Sequence, residues 1–437
     1  MTASPLRPAK EAATESMKRR LQSLSILVGS CVLALVLAEV VGRLLMQPDS
    51  RGFGSLFGVV LPPLRIFAPE RGEHAPRDAA YGNLIVDGQR ITVGDAAGFH
   101  RYDALLGYTT LESTVSRHGW WQSNEIGARE AAATDPRAAT GRTRWLLLGE
   151  SFAHGDGLPG SQVWAEVAET RDPGVDIVNL AVGGYGMAQA WLRYRSLAHR
   201  LEHQGALLMF VPRADLWRDV NVVRELREPW TVRAVMPRFV LDGAGIRLVE
   251  GPYASPQELD ADNRVGLGAT LRDHLRCYDR FYFKVEREPV PVVGDLLSVK
   301  IGAAAYGRYA RGRIGRAQFQ PDSEALEISR RIFHLWQMET ETQAREFMLL
   351  VLPTATDLDR LRSEPAFGGE WRELVEFVCS GLRHCVDLAA ALRAVPASEI
   401  DLGPDGSHYG QRTNALIADA VLESLPRRTA KMAPRQR

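Results

Sequence analysis

The longest hydrophobic segment lies near the start of the chain. Residues 21–38 carry no charge, and apolar character resumes after Glu39 and continues to residue 46. A helix of this length, rising about 1.5 Å per residue, crosses the roughly 30 Å hydrocarbon core of a bilayer. The pattern therefore predicts a transmembrane anchor over residues 21–46. Glu39 and Arg43 are four positions apart, so their side chains can pair on one face of that helix.

The residues before this segment predict its orientation. Residues 1–20 are polar and contain Arg7, Lys10, Lys18, Arg19 and Arg20. Because basic residues stay on the cytoplasmic side, we expect residues 1–20 to form a cytoplasmic tail and the rest to lie outside. A signal peptide cleaved after Ala38 is the alternative, but the polar segment is long and the apolar run continues past that point, which favours an uncleaved anchor.

A second pattern begins at Arg144, where short apolar runs alternate with amphipathic segments. The runs at residues 145–148, 175–180 and 206–211 predict strands, and residues 162–170 and 187–201 predict helices between them. Alternation at this spacing is typical of βαβ units in a parallel sheet covered by helices on both faces. The predicted fold class is therefore α/β, with three layers (α/β/α) in a flavodoxin-like arrangement.

The remaining segments complete the predicted domain organisation. Residues 47–140, rich in glycine, proline and charge, predict a spacer and lead-in, with a small hairpin turning at Asp87-Gly88. Residues 141–425 predict the α/β domain, which carries an insertion over about 218–325. Within that insertion, residues 290–305 are apolar but interrupted by Pro291, Gly294 and Lys300, so a second span is not expected. Residues 426–437 form a polar tail.

Composition excludes several classes of function. The 437 residues include 53 Lys and Arg and 53 Asp and Glu, giving a formal net charge of 0, and no basic block is interleaved with aromatics. A nucleic-acid partner is therefore not expected. The chain has neither a Cys/His pattern for zinc nor a glycine-rich phosphate loop, so we expect no metal and no cofactor. Of the four cysteines, Cys379 and Cys385 can form a disulfide only if a helix ends between them.

Ser151 is the candidate nucleophile. It follows the buried run 145–148 and Gly149, which permits a tight turn. At such a junction of strand and helix, unpaired backbone amides favour negative charge, which suits a reaction that creates an oxyanion. The other interpretation is a serine that only caps a helix.

Asp405 and His408 are the candidate partners of Ser151. They lie three residues apart in a Pro/Gly-rich loop before the amphipathic stretch 411–425. So short a loop can place the carboxylate beside one imidazole nitrogen, leaving the other nitrogen to face the serine. A helix-capping aspartate next to a surface histidine is the alternative.

Taken together, these segments resemble the SGNH (GDSL-type) hydrolase and acyltransferase superfamily, including its membrane-anchored bacterial members. Gly149-Glu150-Ser151 is similar to the family's Gly-Asp-Ser block, and Asp405-Gly-Ser-His408 to its Asp-x-x-His block. The second block is present as Asn179 with Gly183-Gly184, where Gly184 matches the glycine whose amide lines the oxyanion hole. Ala214 occupies the position of the third block's asparagine, and Arg213 beside it is a substitute donor to consider.

The resemblance implies acyl transfer through an acyl-enzyme at the bacterial inner membrane, with the main domain periplasmic or extracellular. Ser151 would be the nucleophile, His408 the general base and Asp405 its orienting carboxylate. The amides of Ser151 and Gly184 would bind the oxyanion, and the donor at Ala214 is missing. The implied substrate is an acylated small molecule or a polysaccharide. The protein would be an esterase if water resolves the acyl-enzyme and an O-acyltransferase if a sugar hydroxyl does. A non-catalytic carbohydrate-binding scaffold is the rival that Ala214 supports.

Overall fold

The structure is a computed structural model that describes residues 7–48, 53–57, 59–65, 83–86, 89–92, 99–116, 119–130, 132–224, 234–262, 268–288, 293–294 and 296–426. The predicted turn at Asp87-Gly88, the first six residues of the predicted tail 1–20 and residues 427–437 of the polar tail lie outside these ranges. The described strands are β1 (Gln47–Pro48), β2 (Phe53–Leu56), β3 (Val59–Arg65), β4 (Asn83–Val86), β5 (Gln89–Thr92), β6 (His100–Asp103), β7 (Gly107–Thr110), β8 (Thr143–Leu148), β9 (Val175–Asn179), β10 (Gly205–Phe210), β11 (Arg238–Asp242), β12 (Gly245–Val249), β13 (Glu346–Val351) and β14 (His384–Asp387).

The described α-helices are α1 (Arg7–Leu45), α2 (Ser151–His154), α3 (Trp164–Arg171), α4 (Met187–Leu197), α5 (Pro212–Asp215), α6 (Pro256–Asp262), α7 (Ala269–Tyr278), α8 (Lys284–Arg287), α9 (Leu297–Ala317), α10 (Glu324–Thr342), α11 (Ala355–Ser363), α12 (Pro365–Cys379), α13 (Leu388–Ala394) and α14 (Gln411–Ser424). Short 3-10 turns join some of them. The predicted strands 145–148, 175–180 and 206–211 are present as β8, β9 and β10, with ends that differ by one or two residues.

A five-stranded parallel sheet forms the centre of the α/β domain. Its strand order is β14-β13-β10-β8-β9, and every adjacent pair is parallel. Successive side chains of each strand point to opposite faces. Leu146 and Leu148 of β8 therefore pack with α4, α10 and α12 on one face, whereas Trp145 and Leu147 pack with α3, α13 and α14 on the other. The predicted three-layer α/β/α fold is confirmed.

The chain divides into two compact units. One contains residues 1–75 and 283–311, and the other residues 76–282 and 312–437. The first unit holds α1, the antiparallel sheet β1-β2-β3, α8 and most of α9, with Leu61, Leu297 and Ala304 in its small core. Residues 17–45 of α1 are long and apolar enough to cross a membrane. The second unit holds the parallel sheet.

Helix α9 and the Cys379–Cys385 disulfide are two features of the second half that the sequence pattern left open. The stretch around residue 300, which glycine and lysine interrupt, still forms the 21-residue helix α9. Its small residues face inward and Lys300 is buried, so the interrupted apolar pattern did not reveal the helix. Helix α12 ends at Cys379, and the chain turns at Gly381 with a positive φ. That turn meets the condition for a bridge, and Cys379 is disulfide-bonded to Cys385 of β14.

Candidate active site

Ser151, His408 and Asp405 form one hydrogen-bonded chain at the carboxyl edge of the sheet. His408 Nε2 lies 2.7 Å from Ser151 Oγ, and His408 Nδ1 is hydrogen-bonded to Asp405 Oδ2. The backbone amide of His408 also donates to Asp405 Oδ1 at 3.0 Å, which ties the loop to the carboxylate. The Phe152 ring packs on the imidazole with centroids 4.7 Å apart. The structure thus brings together the three residues that the sequence singles out, although Ser151 and His408 are 257 positions apart.

The end of β8 places the serine. Gly149 has a φ of +146°, and a Cβ at this position would lie 2.8 Å from the Ala153 Cβ and 3.0 Å from the Met209 carbonyl. Only glycine fits this turn without displacing the neighbouring strand. Glu150 then caps α2, with its Oε1 accepting from the Phe152 amide at 2.9 Å. Ser151 is therefore the first residue of the helix, with its backbone N–H unpaired by the helix itself.

Glu150 also contacts the nucleophile directly. Its Oε2 lies 2.5 Å from Ser151 Oγ and 3.3 Å from a guanidinium nitrogen of Arg218. The serine hydroxyl can consequently donate a hydrogen bond either to this carboxylate or to His408 Nε2. Arg218 is the charged partner of the same Glu150 oxygen.

The amides of Ser151 and Gly184 are the candidate oxyanion donors. Among the described residues, neither amide has a hydrogen-bond acceptor. Gly184 has a φ of +79°, and a Cβ there would lie 2.6 Å from the Tyr108 hydroxyl. Tyr108 in turn donates to the Gly183 carbonyl at 2.8 Å, so a side chain from β7 supports the loop.

Two buried arginines hold this loop from the other side. Arg218 donates to the Tyr185 carbonyl at 3.3 Å, and Arg224 donates to the Gly184 carbonyl and, at 2.6 Å, to Gln189. Both guanidinium groups lie near the ring of Trp217, at 5.4 and 5.9 Å from its centroid. These contacts fix the two peptide groups that follow the Gly184 amide. Neither arginine belongs to a motif segment, so the sequence alone does not identify them.

The third predicted position lacks a side-chain donor. Ala214 lies in α5, directly after β10, and its methyl group packs against the apolar cluster on one face of the sheet. Arg213, considered as a substitute donor, pairs instead with Asp357 at 2.7 Å. Asp215 turns inward and accepts from the Val211 amide at 2.7 Å. Burial, together with the charge of Glu150, raises the pKa of Asp215 well above its usual range.

Electrostatics favour a charged His408–Asp405 pair. Burial alone would lower the pKa of His408, but the hydrogen bond and charge of Asp405, aided by Asp156 and Glu150, outweigh it and raise that pKa. Burial would raise the pKa of Asp405, but its bonds to His408 and to the Ser407 amide hold it far below its usual range. Asp405 is thus an anion that stabilises the imidazolium formed when His408 accepts a proton.

A second histidine–aspartate pair lies at the end of helix α2, whose last residue is His154. His154 Nδ1 is 2.5 Å from Asp156 Oδ1, and Arg129 reaches the His154 ring at 3.1 Å and the Gly155 carbonyl at 2.7 Å. Burial, followed by the charge of Arg129, lowers the pKa of His154. The Trp121 ring stands edge-on to the imidazole, 5.4 Å away. His154, Asp156 and Arg129 lie outside the motifs read from the sequence, although His154 follows Ser151 by only three positions.

The remaining candidate chemistry is limited. Among the residues that the structure describes, no group of three or more His, Cys, Asp or Glu side chains is arranged to hold a metal ion. The arrangement at Ser151 brings together a hydroxyl, an imidazole, a carboxylate and backbone donors, which are the groups that acyl transfer requires.

Comparison with known proteins places this site in context. No protein-family model matches the chain, and no curated protein sequence matches it. Solved structures that it is similar to include a lipase/acylhydrolase from Enterococcus faecalis (10% identity, TM-score 0.32, 64% of this chain and 94% of that one) and an acetyl xylan esterase from Geobacillus stearothermophilus (10%, 0.33, 64% and 94%). A lipolytic protein of the G-D-S-L family from Veillonella parvula is another (12%, 0.29, 64% and 97%). Similarity of this size does not decide activity.

Proposed function

We propose that the protein is a membrane-anchored serine esterase of the SGNH type that acts on ester-linked acyl groups through an acyl-enzyme. The observation that carries this proposal is the chain of contacts from Ser151 Oγ to His408 Nε2 and from His408 Nδ1 to Asp405. The anchor is the apolar part of α1, and the basic residues in the first turns of that helix favour an inner-membrane location with the α/β domain outside the cytoplasm.

Catalysis follows from these positions. His408 accepts the Ser151 proton as Oγ attacks the ester carbonyl, and Asp405 keeps the accepting nitrogen directed at the serine. The carbonyl oxygen becomes an oxyanion beside the Ser151 and Gly184 amides. His408 then gives its proton to the leaving alcohol. The alcohol departs, and the acyl group remains bound to Ser151. Water activated by the same imidazole hydrolyses that intermediate and regenerates Ser151.

The absent donor at Ala214 lowers the expected rate. Loss of one oxyanion donor typically costs about 10²–10³ in kcat. The fixed Gly184 loop compensates in part, because donors that are already oriented need no rearrangement during the reaction. We therefore propose a slow esterase.

Labelling of the full-length protein in detergent with a fluorophosphonate probe tests this function. Wild type is expected to be labelled, and Ser151→Ala is not. Ser424→Ala is a matched control, since this serine lies at the end of α14 and donates only to the Ala420 carbonyl. Absence of labelling in folded wild-type protein, or equal labelling of Ser151→Ala, would remove the acyl-enzyme mechanism and favour a non-catalytic carbohydrate-binding scaffold.

The acyl acceptor decides between the two enzymatic alternatives. An O-acyltransferase for an envelope polysaccharide uses the same acyl-enzyme but resolves it with a sugar hydroxyl. Incubation of acyl-labelled enzyme with water alone and with added oligosaccharide separates the two. Release of free acid in water supports the esterase, whereas release only as a sugar ester supports the transferase.

A further inference from the structure

One face of helix α9 is exposed although it carries apolar and aromatic side chains. We define this outer face by Ile301, Ala305, Tyr306, Arg308 and Tyr309, all of which are exposed. Tyr306 and Tyr309 have 54% and 62% of their surface accessible. The opposite face packs on its own unit through Leu297 and Ala304.

The charge of α9 has one sign. Its 21 residues contain no acidic side chain and the five basic residues Lys300, Arg308, Arg311, Arg313 and Arg316. Arg311 is neutralised by Glu286 of α8 at 2.6 and 2.8 Å, whereas Arg308 lies on the outer face. Such a surface is complementary to an anionic partner.

The first turn of α9 is docked on the anchor helix. Both carboxylate oxygens of Glu39 accept from the Leu297 amide at 2.7 Å, and Oε2 also accepts from Ser298 at 3.3 Å. The Leu297 side chain fills the space above Gly42, where a Cβ would lie 2.2 Å from it. A charged residue inside the apolar segment thus caps the N-terminus of a second helix.

The position of Glu39 fixes the depth of this contact. The candidate span covers residues 17–45 of α1, and its part beyond Lys18, Arg19 and Arg20, residues 21–45, has Leu33 at its middle. At about 1.5 Å per residue, Glu39 lies roughly 9 Å from that middle, about 6 Å inside the edge of a hydrocarbon core whose half-thickness is about 15 Å. The N-terminus of α9 therefore begins about one helical turn below the boundary between hydrocarbon and headgroups. The exposed apolar residues Val293 and Leu296 lie immediately before it.

We propose that the outer face of α9 lies on the surface of the bilayer that α1 crosses, among anionic phospholipid headgroups. Tyrosine is favoured at this interface because its ring is apolar and its hydroxyl is polar. Ile301 and Ala305 contact the acyl boundary, and Arg308 pairs with lipid phosphates. The proposal rests on α1 spanning a membrane and is independent of the chemistry at Ser151.

Spin labelling of the full chain in phospholipid nanodiscs containing phosphatidylglycerol tests this arrangement. Nitroxides are attached one at a time to native Cys31, to Tyr309→Cys and to Met338→Cys, with the other free cysteines changed to serine. Met338 is 60% exposed on α10 of the other unit and provides the aqueous control. The measurement compares collision of each label with oxygen, which concentrates in lipid, and with a water-soluble nickel chelate.

The expected order of the oxygen-to-nickel ratio is Cys31 highest, Tyr309→Cys intermediate and Met338→Cys lowest. A ratio at position 309 equal to that at 338, with Cys31 still high, would overturn the proposal. A low ratio at Cys31 would show that α1 does not span the bilayer and would overturn the proposal for that reason. Strong dipolar broadening between labels at 309 would instead assign the face to a second copy of the chain.

Lipid charge provides the second arm. Replacing phosphatidylglycerol with phosphatidylcholine, or introducing Arg308→Gln in the presence of phosphatidylglycerol, is expected to lower the ratio at 309 by about twofold, since each basic residue near an anionic surface contributes to attraction. A ratio that is insensitive to both changes would contradict the role of anionic headgroups. Esterase activity of Arg308→Gln should equal that of wild type, because the substitution lies in the other unit.

Discussion

Two histidine–aspartate pairs lie at the short helix that begins at Ser151, one facing its first residue and one including its last, and their environments differ. His408 is 20% exposed at its side chain and reaches the serine hydroxyl, whereas His154 is 2% exposed and sealed by aromatic rings. The pKa of His408 is raised by Asp405, and the pKa of His154 is lowered by burial and by Arg129. The same pair of residue types thus gives one imidazole that contacts the candidate nucleophile and one that is enclosed in the core.

The difference shows that the groups in contact with a histidine–aspartate pair determine whether its imidazole favours a proton. Within the described part of the chain, Asp405 is hydrogen-bonded to His408 and to backbone amides, so its charge acts on the imidazole. His154 is contacted by Asp156 on one side and by the guanidinium of Arg129 on the other, and Arg129 opposes a positive charge on that imidazole. A histidine beside an arginine in a buried site has little tendency to accept a proton.

His408→Ala should produce the largest effect. Removal of the base of a triad typically lowers kcat by about 10⁶, so activity should fall to the background that the oxyanion donors supply. The measurement is kcat/KM with p-nitrophenyl acetate. His154→Phe is the matched variant at the other pair and should retain activity to within about tenfold. Equal losses from both substitutions would contradict the assignment of distinct roles.

Asp405→Asn should lower kcat by about 10⁴, because the amide holds the imidazole in the wrong tautomer. The pH profile sharpens this test. His408 must be neutral to act as a base, so kcat/KM should fall as pH drops through its pKa, which lies above the ordinary value near 6.5. Loss of the Asp405 charge lowers that pKa and moves the acidic limb to lower pH. An unshifted limb would show that another group controls it.

Ala214→Asn tests the incomplete oxyanion site. A restored side-chain donor should raise kcat by about 10-fold to 100-fold, somewhat less than the usual cost of losing one. Ala214→Val is the control for bulk at the same position and should give no gain. An asparagine variant that is folded yet no faster than wild type would indicate that the arginine-held loop already provides the full stabilisation.

Arg224→Met addresses the loop itself. Its guanidinium no longer fixes the Gly184 carbonyl, so kcat should fall about tenfold while KM stays within about twofold. Arg224→Lys should recover part of the loss, because an ammonium can still donate to that carbonyl. A change confined to the urea midpoint, with unchanged kcat, would make Arg224 a purely structural residue.

His154→Phe should produce the smallest change in activity but a measurable change in stability. The ring replaces the imidazole among Phe99 and Trp121, while Asp156 loses its hydrogen-bond partner in a buried site. The free energy of unfolding should decrease by about 1–3 kcal/mol, as urea denaturation would show. A variant as stable as wild type would mean that Arg129 alone satisfies Asp156.

The sequence predicted the elements that depend on local pattern and order. Apolar runs located the three sheet strands, and the order of the Ser151 and His408 segments identified residues that the structure places in contact. Asp242-Gly243, a dipeptide that favours tight hairpin turns, lies at the turn between β11 and β12. Each of these depends on short-range periodicity or turn chemistry, which a single sequence displays.

The sequence could not supply contacts that depend on tertiary position. Arg213 stands beside Ala214 in the chain, but its side chain turns to Asp357, 144 residues away. Arg218 and Arg224 come close to Gly184 only because β9 and β10 flank β8 in the sheet. Helix α9 was obscured because its inward face is made of small residues and a lysine, which give a weak apolar period.

The Cys379–Cys385 disulfide has a consequence beyond the fold. It joins the end of α12 to β14, the edge strand of the parallel sheet. Such bonds form in oxidising compartments and are rare in the cytoplasm. The oxidation state of these two sulfurs therefore tests the proposed location of the α/β domain outside the cytoplasm. Alkylation of free thiols in intact cells should leave this pair unmodified if the domain folds in an oxidising compartment, and should modify both cysteines if it stays in the cytoplasm.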